Sequence, residues 1–60
     1  MKYIVKAKLA DAWSLQEFSE YSDASEFAKI LVSEILEGKF KTGRIEITKQ
    51  KERVWSWELN

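Results

Sequence analysis

Apolar residues recur every second position at the two ends of this chain and every three or four positions in its middle. That change of period limits the fold more than any other feature. In residues 2–10, Tyr3, Val5, Ala7 and Leu9 fall on one face and Lys2, Ile4, Lys6 and Lys8 on the other, the alternation of a half-buried strand. Near the other end, Ile45 and Ile47 alternate with Arg44, Glu46 and Thr48, while Trp55, Trp57 and Leu59 alternate with Val54, Ser56 and Glu58. Between them Ala24, Phe27, Ala28, Leu31 and Ile35 follow the i, i+3, i+4, i+7 stripe of an amphipathic helix.

Punctuation supports the helix. Asp23-Ala24-Ser25-Glu26 has the form of a capping box, and its two acids suit the positive end of a helix dipole. Gly38 is a natural stop, followed by Lys39 and Lys41. The small residues Ala24 and Ala28 would allow close approach to a sheet. Residues 13–21 are ambiguous. Trp13 and Leu15 alternate, but Phe18 and Tyr21 fall out of phase, and a bulge near Gln16-Glu17 would repair a strand there. The alternative is a short helix capped at Ser14. The strand is preferred, because a second helix would crowd the first and Trp, Phe and Tyr suit a pleated surface.

The last hairpin turns near Gln50-Lys51-Glu52. A one-residue slip would exchange its two faces. A three-residue loop pairs Ile47 with Trp55 and Ile45 with Trp57; a two-residue loop pairs Ile47 with Val54 and sends both tryptophans to the opposite face. The first gives the more apolar core and is the register expected. The reading is thus an α+β fold of order ββαββ, residues 1–60 forming a single domain: a four-stranded sheet with one amphipathic helix on one face. Strand order stays open.

This element order, over the whole chain, resembles the immunoglobulin-binding domains of streptococcal protein G and other β-grasp modules. The resemblance implies first and last strands running parallel at the sheet centre. An all-antiparallel sheet is equally open, no family motif matches residue by residue, and no function is implied.

Composition narrows the function classes. With neither His nor Cys, the chain cannot assemble a Ser-His-Asp or Cys-His nucleophile set, a disulfide or a thiolate metal site. Glu17, Glu20, Glu34, Glu46 and Glu58 read as solvated surface charges. Gly38 and Gly43 are the only glycines, and their spacing is not that of a phosphate loop. A non-enzymatic protein without cofactors is expected. No apolar run approaches the roughly 20 residues of a membrane span, and the start does not read as a signal peptide, so a cytoplasmic location is the default expectation.

Ten basic and ten acidic residues cancel, which counts against a dedicated DNA-binding domain. Their distribution is uneven: from Asp11 to Glu37 seven acids face a single base, Lys29. Lys2, Lys6 and Lys8 should project from the open sheet face beside Arg44. That basic face reads either as a soluble surface or as a footprint for single-stranded nucleic acid, with Trp55 and Trp57 as stacking platforms only if they face outward. Apolar residues are in surplus as well. Ile30, Val32, Leu36, Ile4 and Val54, with Phe40, exceed what one helix on one sheet face can cover, unless loops fold over some of them. The leading expectation is a protein-interaction module, a homodimer or a regulator binding another protein. Binding of single-stranded nucleic acid through the lysine face is the alternative.

Overall fold

The computed structural model describes residues 2–59. Strands β1 (Tyr3–Leu9) and β2 (Ala12–Phe18) form the first hairpin, helix α1 spans Tyr21–Glu34, and β3 (Gly43–Lys49) and β4 (Glu52–Leu59) form the second. One wide helical turn, Ile35–Lys39, continues α1 and ends where Gly38 enters the left-handed region at φ 91°. The fold is therefore α+β with ββαββ order, and the four strands lie β2-β1-β3-β4, every neighbouring pair antiparallel.

The β-grasp layout would have placed β4 beside β1; here β3 takes that place. The sequence suits β3 to the centre. Gly43, Ile45 and Ile47 are buried along one face, and Gly43 has no Cβ because the Ile35 side chain occupies that space. Strand β4 carries Glu52, Arg53 and Glu58 and an irregular ladder, features that an edge tolerates.

The helix lies over β1, β3 and part of β2, scarcely reaching β4. Ala24 and Ala28 are fully buried at the contact, so the helix does approach the sheet through its smallest residues. Val5, Ala7, Ile35, Ile45 and Ile47 complete the core, with Phe27, Leu31, Trp55 and Trp57 partly buried around it. Each of the four largest, Ile35, Ile45, Ile47 and Val5, contributes about 1.5–3 kcal/mol of burial. At the lower end of the sheet Tyr3 meets Tyr21 edge-on at 5.5 Å, and Phe18 meets Phe27 at 5.4 Å.

Three local expectations are corrected. The helix begins two residues before Asp23, with Glu20 at the N-cap and no side-chain cap bond, so the capping box is not formed. Asp23 sits in the first turn, where its charge still complements the dipole. Tyr21 on Tyr3 supplies a tertiary contact that favours the earlier start.

Residues 12–18 are a strand, as preferred, but without a bulge. Register runs unbroken from Leu9↔Ala12 to Tyr3↔Phe18. The out-of-phase residues need no repair, because Phe18 faces the helix while Trp13 and Leu15 face away from it.

The second hairpin combines both registers considered from sequence. Its loop has two residues, since Lys49 pairs with Glu52. Yet Ile47 still pairs with Trp55, because Thr48 pairs with Arg53 and Val54 is the extra residue of a bulge. The tight turn places Gln50 and Lys51 at φ 51° and 69°, left-handed values that cost non-glycine residues about 1–2 kcal/mol each. A straight ladder would turn Trp55 and Trp57 to solvent. Half of a tryptophan's roughly 200 Å² is worth about 2.5 kcal/mol at 25 cal/mol per Å². Two tryptophans together outweigh the irregularity, so the bulge prevails.

Candidate interaction surface

The registers assign every strand residue to a face. On the helix side the rungs read Ala12–Leu9–Gly43–Leu59, Ser14–Ala7–Ile45–Trp57, Gln16–Val5–Ile47–Trp55 and Phe18–Tyr3–Lys49–Glu52. On the open side they read Trp13–Lys8–Arg44–Glu58, Leu15–Lys6–Glu46–Ser56 and Glu17–Ile4–Thr48–Arg53. Among the described residues no element covers the open side.

Strand β1 thus carries Ile4, Lys6 and Lys8 along the middle of that face, and Lys8 pairs directly with Arg44 as expected. Lys2 lies just before the strand, its ammonium 3.3 Å from Glu17. Carboxylates interleave with these cations. Arg44 Nε lies 2.9 Å from Glu46 Oε2 as an ion pair, Lys6 stands opposite Glu46, and Glu58 flanks Arg44 on the other side. The face is mixed in charge, with its lysines confined to the central strand.

Trp55 and Trp57 are partly buried on the helix side, so neither can stack a ligand beside the lysines. The aromatic on the open face is Trp13, next to Lys8 and half exposed at 51%. It borders a shallow depression of about 290 Å³ at the end of the sheet, whose lining includes Lys8, Asp11, Trp13, Thr42, Arg44 and Glu58.

The apolar residues singled out from sequence do not form one patch. Ile4 lies on the open face and is partly buried. Val54 is exposed at the β4 bulge. Ile30 and Leu36 are exposed on the other side of the sheet, Ile30 on the helix beside Phe18, Phe27, Asp23 and Glu26, and Leu36 on its closing turn. Val32 and Phe40 are partly buried against the core.

The most exposed apolar pair on the sheet, Trp13 and Leu15 at 51% and 64%, was not among them. Both lie on β2, whose residues 12–17 are all exposed. Uninterrupted alternation from a two-residue turn at Ala10-Asp11 would have exposed them. The bulge invoked to bring Phe18 and Tyr21 into phase hid that signal.

Comparisons of the chain with protein-family models, with curated proteins and with solved structures give no match. Among the described residues no helix is long and apolar enough to cross a membrane, and no group of acidic residues gathers closely enough to hold a metal ion.

Proposed function

We propose that this protein is a small non-enzymatic interaction module that binds a protein partner through the β2 side of its sheet. One observation carries the reading. Trp13 and Leu15 stand exposed on an edge strand that has no bulge, no proline and no lysine. Such an edge presents unpaired backbone groups beside apolar side chains, the combination that natural sheets otherwise guard against. A chain of this size hides only about 60% of its extended surface on folding, and a partner covering β2 would add to that.

A photo-reactive residue placed at position 15, with Lys29 on the helix as control site, tests the reading in cells producing the protein. The expected outcome is a protein adduct from position 15 that Trp13→Lys weakens, with none from position 29. Absence of any protein adduct at position 15 overturns it.

A second reading is supported by Trp13 beside Lys8 and Arg44: stacking of a single-stranded nucleic acid base within a cationic surround. Asp11 and Glu58 on the same depression, and Glu46 beside Arg44, count against it. Tryptophan fluorescence titrated with an oligonucleotide at low and high salt decides. Salt-sensitive quenching lost in Trp13→Leu would favour this reading.

A further inference from the structure

Resting on the interaction-module reading, we infer that the partner at the β2 edge is a second copy of this chain. The two copies pair β2 to β2 antiparallel about a two-fold axis through Leu15. The argument starts from the backbone. A two-residue turn closes on a hydrogen-bonded pair, here Leu9 and Ala12. Hydrogen-bonded and non-bonded pairs then alternate along an antiparallel ladder. Ala12, Ser14, Gln16 and Phe18 spend their backbone groups on β1, leaving the N–H and C=O of Trp13, Leu15 and Glu17 pointing out of the sheet.

Five antiparallel registers, centred on residues 13, 14, 15, 16 and 17, let outward groups of two β2 strands bond one another, and those centred on Trp13 or Glu17 leave the most unpaired. Only the one centred on Leu15 satisfies all of them, by pairing Leu15 with Leu15 of the second copy and Trp13 with Glu17. Registers centred on Ser14 or Gln16 strand one residue at each end.

Side chains agree with the same register. On the open face the apolar Leu15 meets its own image, and Glu17 falls opposite Trp13, one strand from Lys8. The carboxylate of one copy therefore lies one strand away from Lys8 of the other. On the helix side Ser14 faces Gln16, hydroxyl against amide, and Phe18 faces Ala12. No like charges stand opposite, because Glu17 is the strand's one ionised residue. A strand that is its own complement favours an isologous pair, which closes at two copies.

Size sets the strength. A standard interface takes roughly 800 Å² per partner, about one fifth of the 4408 Å² this chain exposes. One seven-residue edge offers less than that, so the pair should be reversible.

Analytical ultracentrifugation of the purified chain across the micromolar range tests the inference. The expected result is a monomer–dimer equilibrium. Leu15→Lys, which sets two ammonium groups against each other on the axis, should weaken it at least about tenfold. Val54→Lys at the opposite edge should leave it unchanged. Because Leu15 is largely exposed, both variants should keep the circular dichroism of the parent.

The chain has no cysteine of its own, so single replacements report the register. Under mild oxidation Leu15→Cys should cross-link with itself, its Cα atoms lying about 5.5 Å apart. Gln16→Cys, offset along the strands, should not. A monomer at every concentration, a dimer indifferent to Leu15→Lys, cross-linking through position 16 instead of 15, or open-ended growth would each overturn the two-fold pair. A monomer that still gives a protein adduct at position 15 in cells would overturn self-pairing alone and leave the module reading standing.

Discussion

The sheet has two edges, and the chain treats them differently. β4 carries the bulge at Val54 and the charges of Glu52, Arg53 and Glu58, and it turns both of its tryptophans toward the core. β2 has an unbroken ladder and one charge, and its tryptophan points to solvent. A bulged, charged edge resists further pairing, whereas a regular apolar one invites it. The same residue type thus serves cohesion on one edge and exposure on the other. The difference comes from register alone.

The sharpest way to break this comparison is to truncate a tryptophan on each edge. Trp57→Ala removes a partly buried ring packed against Ile45 and should cost about 2–3 kcal/mol by urea denaturation. Trp13→Ala should stay within about 0.5 kcal/mol of the parent, read in dilute solution where the chain is monomeric. Equal costs would mean that the two edges are not distinct.

Next in size is the reason that β3, not β4, lies at the centre. Gly43→Ala forces a methyl into the buried Ile35 side chain and should destabilise by about 2 kcal/mol. Ile35→Val in the same chain should recover part of that loss, a coupling that a double-mutant cycle measures.

A smaller effect of opposite sign comes from the turn leading into β4. Lys51→Gly relieves a left-handed lysine and should stabilise by about 1 kcal/mol, seen as a rise in Tm. Ala10, at φ 57° in the turn leading into β2, should respond in the same direction. Smallest of all is the ion pair at the end of β2. Lys2→Ala should change stability by less than about 0.5 kcal/mol, since both partners are well exposed.

The sequence made the architecture legible because its apolar period changes twice, and because burying Trp55 and Trp57 outweighs the cost of a bulge in β4. Local devices were less legible. A capping box at Asp23 reads clearly, yet Tyr21 packs on Tyr3 and draws the helix start earlier. The spacing of Phe18 and Tyr21 suggests a bulge in β2, where none exists, while nothing in the sequence suggests the one in β4 that rescues the register. Bulges follow from how two strands and a turn compromise, and neither strand records that compromise alone. The candidate surface suffered most, since a shift of one residue moves Trp13 and Leu15 between faces. Alternation alone puts Ile4, Lys6, Lys8 and Arg44 together on the open face, because the β1–β3 ladder is regular.

The β1–β3 ladder at the centre of the sheet also governs how the chain must assemble. Each hairpin closes across two residues and can form quickly by itself. Joining them means closing the whole excursion through β2, the helix and its final turn, and loop-closure entropy must be met before any contact returns it. Leu9 and Gly43 are the rung nearest in sequence, and Ile35 packs there as well. The ladder should therefore nucleate at that end and zip toward Tyr3 and Lys49. Stopped-flow kinetics would register a change at Gly43 mainly as slower folding, and one at Tyr3 mainly as faster unfolding.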